Sequence, residues 1–320
     1  MFVRPVLLSL LLALAPGWVQ ASPPRVVADT PIAQSIAAMV LGALGDAETV
    51  LAPGADPHDF QLRPSQARRL AQADLVIWTS PALSPWLARP VESLASGSVL
   101  ILSNAPGLTL RPFAPQVIDV PDGHGGAHGG DHDHDHDHDH DHDTGPGDWD
   151  PHFWLDPGNL APAARAIATQ LALMDPDNAA TYQSNADRAA AAGTALQQDM
   201  ADVLAPVGNA GLVMFHDAYG YLAAGFGLNI LGSVRNSDAV APGANRLQAL
   251  RHALAEANAI CIFPEANHSA APLDAIVEGL PLRIGQPLDP AGLHQTTGPA
   301  LYGQTLRTLA RTIATCVSGA

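Results

Sequence analysis

Short apolar runs alternate with helix-like stretches along almost the whole of this chain, and that rhythm limits its folds more than any other feature. Runs at 25–28, 48–51, 75–78 and 99–102 occupy the first half; runs at 211–215, 229–233, 259–263 and 282–285 occupy the second. Short strands that alternate with helices imply parallel sheet. Parallel neighbours need a crossover of about a dozen residues, usually a helix. The intervening stretches supply it: helical patterns cover 32–44, 65–72, 83–94, 161–173, 218–226, 246–257, 273–279 and 302–317. Thr30 is placed as the N-cap of the first, with Pro31 at its first helical position, and Ser65 as the N-cap of the second.

One stretch breaks the rhythm. Residues 178–204 are Ala-rich, contain no Pro, and have a single Gly, Gly193. As one helix they would span roughly 40 Å, long for a crossover but suited to a strut between two lobes. Two shorter helices broken at Gly193 are the alternative. The predicted fold class is therefore α/β, with two lobes, each a parallel-sheet α/β sandwich, joined by one long rigid helix.

Residues 1–21 read as a secretory signal: Arg4, an apolar core over 6–15 that is too short to span a membrane, and Val19-Gln20-Ala21 as a cleavage site. The mature chain would begin near Ser22, without a Cys to carry a lipid. No later segment approaches about 18 continuous apolar residues, so no membrane insertion is expected. The expected division is an N-terminal lobe over 22–175 with a disordered loop at 123–147, a linking helix over 176–205, and a C-terminal lobe over 206–320. The formal charge is −16 and there is no Lys, which argues against nucleic acid and anionic membrane surfaces as partners. Two cysteines, Cys261 and Cys316, are most simply one disulfide in an oxidising compartment. Without CxxC spacing, a cysteine metal site is the weaker alternative.

The fourteen histidines fall into two groups. Eight of them, His124, His128, His132, His134, His136, His138, His140 and His142, fall in one tract, of which the last six alternate with Asp from Asp131 to Asp143. Neutral imidazole is a common ligand for zinc and similar ions, and at pH 7 most unperturbed histidines are neutral. The tract has nothing to bury, so it is expected to be disordered and to bind metal weakly as an accessory site. Of the other six, His58 in ADPHDF, His152 in DPHFWLDP and His216 in MFHDAYGY share a loop or strand-end setting. In open α/β sheets, ligands bind beyond the carboxyl ends of strands. Three imidazoles make most of a tetrahedral zinc shell. Each alone also fits a histidine bonded to backbone at a strand end. Asp289 in PLDPAG is a candidate fourth ligand, and Glu265 in FPEANH either a ligand or a partner of one. Asp217 and Asp156 are candidate acceptors that orient an imidazole through its second nitrogen. His252, His268 and His294 read as solvated.

These pieces together resemble a known family. GADPHDFQLRPS at 54–65, ADLVIW at 73–78, the Asp/His insertion, DPHFWLDP at 150–157, FHDAYGYLAAGFGL at 215–228, PGANRL at 242–247, FPE at 263–265 and LDPAG at 288–292 occur in order across nearly the whole mature chain. The sequence is similar to the periplasmic zinc-binding proteins of ABC-type zinc importers, within the cluster A-I metal-binding solute receptors. The resemblance implies a monomeric periplasmic receptor that is not an enzyme, captures Zn2+ in the cleft between two lobes and delivers it to a membrane permease. It carries the metal ligands onto His58, His152 and His216, with Asp289 as the available carboxylate. Some zinc relatives place a Glu just before the first His; here that residue is Pro57. A disulfide in the C-terminal lobe is also common in the family, which agrees with Cys261 and Cys316. Two rivals remain at this stage: a periplasmic zinc buffer or chaperone, and a zinc hydrolase, for which no HExxH is present.

Overall fold

The computed structural model describes residues 22–115, 118, 149–235 and 244–319. The expected signal at 1–21 and the Asp/His tract with its eight histidines lie outside the described residues. The first half runs β1 (Val26–Ala28), α1 (Pro31–Leu41), β2 (Ala47–Thr49), α2 (Pro64–Gln72), β3 (Leu75–Trp78), α3 (Ala88–Leu94) and β4 (Ser98–Ile101). After α4 (Leu160–Met174) and α5 (Ala179–Leu204) come β5 (Gly211–His216), α6 (Gly220–Phe226), β6 (Asn229–Arg235), α7 (Ala244–Glu256), β7 (Ala259–Ile262), α8 (Ala271–Val277), β8 (Arg283–Ile284) and α9 (Leu301–Ser318).

The strands form two four-stranded sheets, ordered β2-β1-β3-β4 and β6-β5-β7-β8, with every pairing parallel. In each sheet the first strand has its two successors on opposite sides. That reversal opens a crevice at the carboxyl ends of β1 and β3 in one lobe, and of β5 and β7 in the other.

Capping at the start of α1 follows the sequence: Thr30 Oγ1 accepts the Ala33 N–H at 3.2 Å, with Pro31 at the first helical position. The start of α2 does not. Its N-cap is Arg63 rather than Ser65, because Pro64, lacking an N–H, takes the first helical position. The Gln66 side chain then accepts the Arg63 N–H at 2.8 Å.

Helix α5 is continuous for 26 residues and passes through Gly193 without a break. Gly193 is there for close approach: a Cβ would sit 3.0 Å from the Pro157 carbonyl oxygen and 3.3 Å from Leu160. The helix buries Tyr182, Ala186, Ala189, Leu196 and Met200, and packs along α1, α4 and α9. Through it, one core cluster reaches from Leu75 and Ile77 of the first sheet to Leu212 and Met214 of the second. Hydrogen bonds add to the junction. Ser35 Oγ donates to Gly298 O at 2.7 Å, Trp154 Nε1 to Pro290 O at 2.9 Å, and Tyr302 Oη to Trp154 O at 2.9 Å. The Cys261–Cys316 disulfide ties β7 to the end of α9. Among the described residues, no helix is long and apolar enough to cross a membrane.

Candidate metal centre

His216 is the last residue of β5, at the crevice of the second sheet. His152 directly precedes the short 3-10 turn Phe153–Leu155, whose three residues are buried and anchor it in the core. His58 lies in the loop between β2 and α2. His152 and His216 are 3% and 6% exposed, and His58 is half-buried. The three rings converge, with one nitrogen from each within 4.8 Å of the others. Nε2 of His58 and Nε2 of His152 are 3.3 Å apart. At a Zn–N distance of about 2.0–2.1 Å, two ligands of a tetrahedral zinc lie about 3.3–3.4 Å apart, so this spacing is that of one edge of a zinc tetrahedron.

Two buried carboxylates set which nitrogen faces the centre. His152 Nδ1 lies 2.7 Å from Asp150 Oδ1, and His216 Nδ1 lies 2.5 Å from Glu265 Oε1. Asp150 and Glu265 are 1% and 3% exposed. An ionised carboxylate only accepts, so each Nδ1 carries the proton and donates, which leaves the Nε2 lone pair to bind metal. Burial pushes the His152 pKa down, against the opposing pull of Asp150. The imidazole therefore stays neutral, and available as a ligand, to lower pH than a solvated one. Tyr219 Oη donates to the same Glu265 Oε1 at 2.9 Å and fixes the carboxylate in turn.

The second sheet explains the Glu265 contact. The β5–β7 register pairs Val213 with Ile262, and three further residues along each strand direction bring His216 beside Glu265. The Asp150 contact is local. Asp-Pro-His occurs at 56–58 and at 150–152. In both, the Asp side chain accepts the N–H of the His two residues on, at 2.8 and 3.0 Å, a turn that Asp and Pro favour. Asp150 was overlooked from the sequence, and the repeated triplet was the signal that pointed to it.

Other candidates stand elsewhere. Asp289 is not in the convergent group found among the described residues. Its oxygens accept the backbone N–H groups of Leu293 and His294 at 2.8 and 3.0 Å, which closes the turn after β8. Asp156 accepts the Gly158 N–H at 2.8 Å and does not orient His152. Asp217 lines a neighbouring cavity, while Glu265 is the acceptor for His216. His252 is exposed, as expected, and His294 is half exposed. His268 is not solvated: it stacks on Phe215 with ring centroids 5.0 Å apart and lines the cavity beside the three histidines. That cavity, of about 20 Å3, is also bordered by Glu265, Asn267 and Trp154. It has room for about one water, a fitting size for a single small fourth ligand.

The family model for ZnuA, the periplasmic component A of a zinc-uptake complex, matches residues 26–316. The chain belongs to the ZnuA family. It is 41% identical to the high-affinity zinc uptake system protein ZnuA of Paracoccus denitrificans (strain Pd 1222), over 97% of this chain and 98% of that protein. It is 34% identical to the ZnuA of Brucella suis biovar 1 (strain 1330), over 89% of each. Among solved structures, the fold is shared with a ZnuA crystal structure at a TM-score of 0.71 and 21% identity, covering 91% of this chain and 98% of that one. It is also shared with the Pseudomonas aeruginosa receptor FpvC in complex with Mn2+, at a TM-score of 0.72 and 17% identity, covering 93% and 99%. ZnuA proteins are periplasmic zinc-binding solute receptors, a receptor family and not an enzyme family.

For a ZnuA-type centre built this way, the outer carboxylates should matter almost as much as the ligands. Asp150→Asn and Glu265→Gln are each expected to weaken zinc binding by about 10- to 100-fold. Competition against a chromophoric chelator measures this, with exposed His252→Ala as the unaffected control. Affinities equal to the parent's would mean the carboxylates do not tune the imidazoles.

Proposed function

We propose that this chain is a monomeric periplasmic receptor that takes Zn2+ on His58, His152 and His216 and hands it to the permease of an ABC importer. The observation that carries the reading is the convergence of three imidazoles, two of them buried and aimed by carboxylates. An all-nitrogen protein shell suits zinc better than the oxygen-preferring magnesium, calcium or manganese. With neutral imidazoles and two ionised carboxylates behind them, the charges of the metal and its surroundings balance, which limits the cost of burying the ion. The fourth position is taken by water, in keeping with the size of the cavity and the engagement of Asp289 by backbone.

The protein is not a hydrolase in this reading. Glu265, a carboxylate that borders the cavity beside the three histidines, is committed through Oε1 to His216 and Tyr219. The continuous core across the lobes favours release by rearrangement of a loop over a wide hinge motion. The Asp/His tract is an accessory collector of loosely held metal.

Two measurements test the proposal together. Deleting 123–147 should leave one tight zinc site and lower the total stoichiometry in calorimetric titration. Deleting the gene should abolish growth in zinc-depleted medium, with rescue by excess zinc. Tight binding combined with unimpaired growth would instead favour a zinc buffer, and loss of the tight site with the tract would move the site into the tract.

A further inference from the structure

The three ligand-bearing segments are not held alike. His152 and His216 sit on buried anchors, whereas His58 is carried by a loop with no helix or strand of its own. In that loop, both polar groups of the Pro57–His58 peptide are taken by side chains. Trp86 Nε1 donates to the Pro57 carbonyl oxygen at 2.7 Å, and the His58 N–H donates to Asp56 Oδ1 at 2.8 Å. A peptide unit is a rigid plane, so holding its oxygen and its N–H fixes where the chain reaches His58 Cα and how the imidazole is aimed. The same indole meets Phe60 edge-to-face, with centroids 5.1 Å apart. Trp86 thus grips the loop on both sides of His58.

The grip has a firm base. Trp86 lies in the 3-10 turn Pro85–Leu87, between buried Ser84 and buried Leu87. Ser84 Oγ donates to Asp29 Oδ2 at 2.6 Å, at the carboxyl end of β1, and accepts from Trp78 Nε1 at 3.0 Å, at the end of β3. The indole is therefore referenced to the first sheet, while the loop it holds meets the second lobe, with Gly54 N–H donating to Leu293 O at 3.1 Å.

We infer that Trp86 is a positioning residue for zinc: it latches the His58 loop, and release of the metal begins when the indole lets the Pro57 carbonyl go. This rests on His58 being a zinc ligand, as proposed above. Affinity changes at one site fall mostly on the off-rate, so loss of the latch should appear chiefly in the dissociation rate.

The test uses the full chain. Trp86→Phe keeps a ring beside Phe60 and removes the N–H donor together with the second ring of the indole; zinc dissociation, followed by stopped-flow chelator chase, should speed up by at least about three- to tenfold, the range for one hydrogen bond. Phe60→Leu leaves the hydrogen bond in place and should speed release in the same direction by less. The deciding readout is the double-mutant cycle, read as equilibrium zinc affinity in chelator competition. In a His58→Ala background, Trp86→Phe should have almost no effect, because the latch then holds nothing that touches metal. An unchanged dissociation rate in Trp86→Phe would overturn the inference, as would an equal affinity loss with and without His58. His58→Ala binding zinc as tightly as the parent is a separate failure, that of the ligand assignment itself.

Discussion

Replacing His216 with Ala should raise the zinc dissociation constant by about 10^2- to 10^3-fold. Structural zinc sites with four ligands bind with about 10–16 kcal/mol, so one ligand accounts for about 2.5–4 kcal/mol. His216 is the best single target because it is a β5 residue, 6% exposed and held by the sheet. The change also takes a donor from Glu265, which is 3% exposed and would keep Tyr219 on Oε1 at 2.9 Å and His268 3.9 Å from Oε2. Part of the effect will therefore appear as lower stability of the metal-free protein, and unfolding curves should be recorded beside the titration. The measurement belongs in the 123–147 deletion background, where weak binding by the tract cannot mask the loss. An affinity within about threefold of the parent's would remove His216 from the shell.

Removing the disulfide should cost about 4 kcal/mol of unfolding free energy. Cys261 and Cys316 are 55 residues apart, and the entropy of closing a loop of that length in the unfolded chain gives this value. Cys261→Ala with Cys316→Ala is the suitable variant, since Cys261 is fully buried in the sheet and a serine there would bring an unpaired hydroxyl. With about 2.1 cal/mol/K of unfolding entropy per residue, the midpoint of thermal unfolding should fall by roughly 6 °C. Reduction of the parent protein should reproduce the shift. A loss below about 1 kcal/mol would mean that the unfolded chain is compact enough without the cross-link to have little entropy left to lose.

Local features were legible in the sequence wherever the reason for them was local. The strand runs, the crossover helices and the Thr30 cap follow from period and residue type within a few positions. The long helix was legible too, but the role of Gly193 was not. A glycine in a helix reads as a weak point until the Pro157 carbonyl and Leu160 are known to press against it. The cap of α2 was displaced to Arg63 for a reason present in the sequence, namely that Pro64 fills the first helical position. His268 read as solvated because nothing nearby in sequence announces that Phe215 will lie against it.

By itself the sequence determined the α/β class, the two-lobed division around one long helix, and a short list of imidazoles at loop and strand ends. These depend on periodicity and on residue chemistry, which the chain carries in order. Only the tertiary structure decided which carboxylates serve which imidazoles. Glu265 reaches His216 because β7 lies beside β5 with Val213 opposite Ile262, a register that packing of the buried face sets, and the oxygens of Asp289 accept backbone N–H groups in a turn. Strand order and side-chain pairing are outcomes of long-range packing, and residues 49 positions apart become neighbours only when the sheet between them has formed.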